Sequence, residues 1–112
     1  MGSYFFSFDG RYDDEAAGKY FGPDAAELLA ELARRYEALK PFDLAGTEAT
    51  LNRLAEERDL KKAALIHPVR LAVTGVPRGP GLYEVLVTLG RPVVVERLHK
   101  AAAHIADRPS RP

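Results

Sequence analysis

The chain has 112 residues, of which 46% are hydrophobic, and its sixteen basic and sixteen acidic side chains give a formal net charge of zero. This length is enough for one compact domain with a modest core and excludes a multidomain enzyme. Cysteine is absent, which excludes thiolate metal sites and is typical of a cytoplasmic protein, and no apolar run approaches the roughly 20 residues that a membrane span needs.

The first half of the chain predicts an extended segment followed by helices. Residues 1–12 are rich in aromatic side chains, which we expect to pack on the body of the domain. Pro23 stands at the first position of a helix whose apolar residues repeat every three or four positions until about Leu39. Asp43 is a suitable N-cap for the next helix. The positions that we expect this helix to bury are Leu44, Thr47, Leu51, Leu54 and Ala55.

The second half predicts three further helical segments. Residues 61–66 indicate a short amphipathic turn or two, after which Pro68 starts a new helix and Gly75 ends it with a left-handed cap. A second apolar helical face runs from Leu82 to Leu89. Pro92 begins the last helix, because helical spacing continues beyond the three valines that follow it. The sequence therefore predicts an all-α fold of five or six short helices over residues 13–107, with a disordered tail over 108–112.

The charges divide unevenly along the chain. Residues 1–60 contain thirteen acidic and seven basic side chains, whereas residues 61–112 contain three and nine. A polyanion would therefore approach the second half, with an affinity that falls as salt rises. The alternative is that the surplus charges only solvate helix faces and attract the two halves to each other.

A loop rich in proline and glycine, VPRGPG over residues 76–81, lies in the basic half. Arg70 precedes it and Arg78 lies within it, so two guanidinium groups and the amides of the following helix predict an anion-binding or base-reading site. The loop lacks the Lys-Ser/Thr pair of a P-loop and no strand precedes it, which argues against nucleotide binding. Its prolines make it stiff, and an ordered loop loses less entropy when a base docks on it.

These residues also carry a resemblance. The stretch PVRLAVTG from residue 68, followed by GPGLYEV and a closing LG at residues 89–90, resembles the P-L-R-x-A-L-T-G…x-P-G-L-F-E…L-G signature of bacterial glutamyl-tRNA synthetases, a class I aminoacyl-tRNA synthetase family. Weaker similarity extends over nearly the whole chain. The resemblance implies a compact helical anticodon-binding domain, in which residues 1–12 continue from a preceding helical domain of the parent enzyme.

The resemblance also implies partners and cofactors. The expected partner is the anticodon loop of tRNA(Glu), held by a cytoplasmic, monomeric protein that ligates glutamate to this tRNA with ATP. HIGH-like and KMSKS-like motifs do not occur in the chain, so we expect no catalytic residue here. ATP and Mg²⁺ would act in a catalytic domain that this chain lacks, and no cofactor is expected in the chain itself.

Individual residues match the family pattern. Arg70 matches an arginine that reads an anticodon base, and His67 either contacts a base or caps the helix that follows it. Gly79 replaces a residue that is often polar in the family and so offers only its backbone. The anticodon-contact candidates are His67, Arg70, Thr74, Gly79, Pro80, Gly81 and Leu82. The phosphate-contact candidates, chosen by charge and placement, are Lys61, Arg78 and Arg91.

Two other interpretations were weighed. His99, His104 and Asp107 do not form a metal site, because a spacing of five residues does not align the two imidazoles on one helical face. An alternative function is that of a helical protein-interaction module, which docks a partner on the apolar face of the last helix and does not bind RNA.

Overall fold

The computed structural model describes residue 12, residues 14–75 and residues 81–107, and within these ranges the chain forms six helices and no strand. They are α1 (Asp14–Tyr20), α2 (Pro23–Ala38), α3 (Leu44–Glu57), α4 (Lys62–Thr74), α5 (Leu82–Leu89) and α6 (Arg91–Asp107). The predicted all-α class is confirmed. The predicted N-terminal segment and tail lie outside the described residues, apart from Tyr12. None of the described helices combines the length and apolar character needed to cross a membrane.

The centre of the domain is the packing of α6 along α2. Leu29, Leu32 and Ala33 of α2 and Leu98 of α6 are fully buried in one continuous apolar cluster. Helix α4 also contributes to this cluster through Val69 and its neighbours, while α3 and α5 pack on each other at the side. The three-to-four spacing of apolar residues predicted this arrangement for α2, because such spacing places them on one stripe of the helix.

Helix α3 begins where the sequence predicted it. The Asp43 carboxylate accepts a hydrogen bond of 2.7 Å from the Gly46 amide, as an N-cap residue does. Buried Tyr36 of α2 donates its hydroxyl to the Thr47 carbonyl at 2.9 Å, which ties α2 to α3. One prediction for this helix is wrong: Leu44 is 49% exposed, because it is the first residue of the helix and extends beyond the surface that α2 covers.

A second prediction, that Pro68 starts a new helix, is wrong. Helix α4 runs without a break from Lys62 to Thr74, with Pro68 at its seventh position. Proline has no amide to donate to the carbonyl four residues earlier. That residue, Ala64, lies on an exposed turn, where water can satisfy its carbonyl. Pro68 itself is buried, and its packing favours the continuous helix.

Two residues with a positive φ flank α4. Asp59 has a φ of 58° and lies in the turn between α3 and α4, while Gly75 has a φ of 83° and forms the C-cap of α4. The Gly75 amide donates to the Leu71 carbonyl at 2.8 Å, as predicted for a glycine cap. The end of α4 is therefore sharply defined, and the proline-glycine loop follows directly.

Candidate nucleic-acid interface

One face of α4 carries three of the predicted contact residues. His67, Arg70 and Thr74 are separated by three and four positions, so they lie on one stripe of the helix. All three are half-buried, whereas the opposite side of α4 is enclosed in the core through residues such as Leu65 and Val69. The sequence correctly placed Thr74 one turn from Arg70 on the same face.

Arg70 stands near the loop end of this stripe. Partial burial lowers the pKa of its guanidinium, because desolvation disfavours the charged form, although an arginine remains protonated at any physiological pH. The Thr74 hydroxyl donates to the Arg70 carbonyl at 2.8 Å. Arg70 is thus a cation in a partly desolvated position, where hydrogen bonds to a planar base edge are stronger than in bulk water.

His67 makes a contact within the protein that the sequence did not suggest. Its imidazole stacks on the ring of Tyr20 from α1, with centroids 4.6 Å apart and planes inclined by 21°. Its Nδ1 atom is buried and has no hydrogen-bond partner among the described residues. Because His67 lies in the middle of α4, it does not cap a helix that starts at Pro68, and that alternative is wrong. The His67–Tyr20 stack holds α1 against α4.

The start of α5 forms the far side of the loop. Gly81 is exposed and is the N-cap of α5 without a side-chain hydrogen bond. The first amides of a helix have no partner within it, so this end can donate to a ligand. Leu82 is only 4% exposed and belongs to the core, so its side chain is not available to a ligand. Arg78, Gly79 and Pro80 lie outside the described residues.

Glu84 also takes part in the start of α5. A Cβ atom at Gly81 would come within 2.9 Å of its Oε1 atom, so the carboxylate lies against this glycine. A negative side chain in the first turn is favourable because of the helix dipole. It also provides an acceptor beside the exposed Gly81.

Comparison with known proteins identifies the domain. A family model described as an anticodon binding domain matches residues 1–102. The chain belongs to the anticodon-binding domain family. The glutamate–tRNA ligase of Chlorobium phaeovibrioides is 41% identical over 103 residues, which cover 92% of this chain and 20% of the ligase. That of Moorella thermoacetica is 39% identical over 106 residues, which cover 94% of this chain and 22% of the ligase.

The structural comparison agrees with this assignment. The crystal structure of a glutamate tRNA ligase from Elizabethkingia meningosepticum matches with a TM-score of 0.85 and 26% identity, over 93% of this chain and 20% of that one. The predicted membership of the anticodon-binding domain of glutamate–tRNA ligases is therefore confirmed. The chain spans about one fifth of the length of these ligases.

The charges of the anticodon-binding domain are arranged in a way that supports the predicted polarity. In the acidic half, Arg34 and Arg35 both pair with Glu31, Arg35 reaches Glu57 at 2.6 Å, and Arg58 lies 3.0 Å from Glu27. These cations are neutralised by acids of their own half. Lys61 and Lys62, in contrast, are exposed at the start of α4.

Lys61 lies at the opposite end of α4 from Thr74. It is the N-cap of α4, and the rise of about 1.5 Å per residue puts it roughly 20 Å along the axis from Thr74. A phosphate contact at Lys61 would therefore involve a different part of an RNA from the bases that reach Arg70.

Arg91 is partly engaged within the protein. One of its terminal nitrogens donates to the Leu39 carbonyl at 2.8 Å, its Cζ lies 5.8 Å from the Phe42 ring centroid, and its Nε is buried without a hydrogen bond to the described residues. Leu39 is the C-cap of α2. Arg91 therefore secures the end of α2 from the first turn of α6, which is a structural contribution that charge and placement alone did not reveal.

Arg97 is the residue that sequence reasoning missed at this end of the domain. It lies on α6, and its guanidinium donates to the Val73 carbonyl in the last turn of α4 at 2.7 Å. The only available signal was that Arg97 is one of the nine cations of the basic half. Nothing in a single sequence links residues 24 positions apart.

Proposed function

We propose that this domain binds tRNA(Glu) and reads its anticodon as part of a glutamate–tRNA ligase. The observation that carries the proposal is the position of Arg70: a half-desolvated guanidinium on the stripe of α4 that leads directly into the proline-glycine loop. Membership of the anticodon-binding domain family and the identity of the relatives support it.

The base-reading role falls to the end of α4 and the start of α5. Arg70 can hydrogen bond to a base edge and stack on a base plane. Thr74 lies next along the same stripe, and Gly81 is exposed at the start of α5. Gly79 and Pro80 belong to the same set, and buried Leu82 holds the start of α5 in the core. His67 supports Arg70 from one turn away through its stack on Tyr20, and its outer edge is the part that could meet a base.

We expect the three phosphate-contact candidates to contribute unequally to RNA affinity. Lys61 is exposed and available, and Arg78 lies in the loop between the two helices. Arg91 already donates to the Leu39 carbonyl, so we expect its contribution to phosphate binding to be the smallest of the three. Such contacts position an RNA without selecting its sequence.

The reaction itself belongs to the rest of the ligase. We propose that the parent protein is a monomeric cytoplasmic enzyme that joins glutamate to tRNA with ATP and Mg²⁺ in a catalytic domain outside this chain. The contribution of the present domain is recognition: it holds the anticodon end of the tRNA so that the acceptor end is charged elsewhere.

Binding of an anticodon stem-loop RNA to the Arg70→Ala variant tests the proposal. Loss of a base contact should weaken binding by about 1–3 kcal/mol and reduce the preference for the matching anticodon over one altered at a single base. The matched control is Arg53→Ala, which removes an exposed arginine from α3 in the acidic half and should leave both quantities unchanged. Affinity is measured by fluorescence anisotropy at several salt concentrations.

Three outcomes would contradict this proposal or a part of it. Equal binding of both stem-loops by the parent domain would remove the anticodon-reading role. Absence of any salt-dependent binding would favour the rival interpretation, a protein-interaction module. If Arg70→Ala discriminated as well as the parent, Arg70 would not be the reading residue.

A further inference from the structure

Hydrogen bonds of different origin meet at the last turn of α4. The Gly75 amide donates to the Leu71 carbonyl at 2.8 Å, the Thr74 hydroxyl donates to the Arg70 carbonyl at 2.8 Å, and Arg97 of α6 donates to the Val73 carbonyl at 2.7 Å. The first two are local to α4. The bond from Arg97 connects this turn to α6.

The Val73 carbonyl is a group that needs an external donor. It is among the last four carbonyls of α4, which have no amide partner within the helix. Val73 itself is fully buried, and an unpaired polar group in such a place is unfavourable. A guanidinium is also attracted to the negative end of the helix dipole. Arg97 therefore acts as a C-cap supplied by a neighbouring helix.

The surroundings of Arg97 favour a fixed geometry. The residue is half-buried, and desolvation lowers the pKa of its guanidinium, although Glu96 opposes this effect. A charged hydrogen bond that is partly shielded from water is stronger than one at the surface. Arg97 lies on α6, the helix that packs along α2 in the core.

We propose that Arg97 is a positioning residue for anticodon reading: its bond to the Val73 carbonyl fixes the last turn of α4 against α6 and with it the side chains that this turn presents. The role rests on the proposed function. Arg97 acts through α4 and does not itself contact a base. Arg70 and Thr74, on the same turn, are the groups whose placement it controls.

The first test needs no RNA. In Arg97→Gln, whose side chain is too short to reach Val73, amide hydrogen exchange at Thr74 and Gly75 should become about tenfold faster or more, because the last turn opens more often. Amides in the middle of α2 should keep their protection. The matched control is Lys100→Gln, which removes one positive charge from the next turn of α6 at an exposed site and should leave exchange in α4 unchanged.

Two results of this test would overturn the proposal. Unchanged exchange at Gly75 would show that Arg97 does not hold the turn. Loss of protection throughout the molecule would show that it serves the whole fold. Arg97→Lys keeps a cationic donor on an unbranched stem, and we expect its exchange rates to fall between those of the parent and of Arg97→Gln. If they matched those of Arg97→Gln, the charged bond would not be responsible.

The second test separates positioning from direct phosphate contact. If Arg97 positions the turn, Arg97→Gln should lose about tenfold in the preference for the matching anticodon stem-loop, and the salt dependence of binding should not change. If Arg97 contacts a phosphate, the substitution should instead lower the salt slope by about 1 and weaken the binding of both stem-loops equally. The equal weakening would overturn the proposal. If the parent domain bound neither stem-loop selectively, the proposed function would fail, while the exchange test would still decide whether Arg97 holds the turn.

Discussion

Replacing Tyr36 by phenylalanine isolates one buried hydrogen bond between α2 and α3. The hydroxyl donates to the Thr47 carbonyl at 2.9 Å, and Tyr36 has no exposed surface. Phenylalanine keeps the ring and its packing, including the edge contact with Phe42 at 5.5 Å. The Thr47 carbonyl also accepts from the amide four residues later in α3, so it is not left unpaired. We therefore expect a loss of about 1 kcal/mol in the free energy of unfolding at pH 7.

The same substitution should reverse its effect in alkali. Burial, assisted by the neighbouring Tyr83, raises the pKa of Tyr36 well above its usual value. The unfolded chain ionises this phenol above about pH 10 while the folded chain keeps it neutral, so the parent loses about 1.4 kcal/mol per pH unit there. Phenylalanine cannot ionise. The stabilities of parent and variant should therefore become equal at about pH 10.7, and above it Tyr36→Phe should be the more stable protein.

Urea unfolding followed by circular dichroism at 222 nm, from pH 7 to 11.5, measures both effects. Tyr20→Phe is the control, because Tyr20 is only half-buried, and its stability should follow that of the parent within about 0.5 kcal/mol. The reasoning is refuted if the curves of parent and Tyr36→Phe stay parallel as the pH rises. A variant that is equal to the parent at pH 7 would contradict the contribution assigned to the hydrogen bond.

Two further predictions concern helix ends. Asp43→Ala removes the N-cap of α3 and should lower the free energy of unfolding by about 0.5–2 kcal/mol, whereas Asp43→Asn should retain most of the stability. Urea unfolding at pH 7 compares the two variants, and equal losses of stability would contradict the capping role. Arg91→Gln should lower stability by about 1–3 kcal/mol, because the Leu39 carbonyl loses a charged donor, and should change the affinity for an anticodon stem-loop little. A strong loss of RNA affinity with unchanged stability would instead make Arg91 a phosphate contact.

The local features of this fold could be predicted from the sequence. Pro23 at the start of α2, Asp43 at the start of α3 and Gly75 at the end of α4 act through steric and hydrogen-bonding rules that involve only neighbouring residues. Periodicity likewise predicted which side of α2 and α6 would be buried. The motif around Arg70 identified the family, because it is a long match within one continuous stretch.

The tertiary structure decided what depends on residues that are distant in the chain. Packing carries α4 through Pro68, since the free energy of burying its apolar side outweighs one missing helical hydrogen bond. The stack of His67 on Tyr20, and the bonds of Arg91 and Arg97 to carbonyls of other helices, join positions 24 to 52 residues apart. No local rule specifies such pairs, because they exist only once the helices have docked. The sequence thus determined the helices and the family, while docking determined which cations remain available to an RNA.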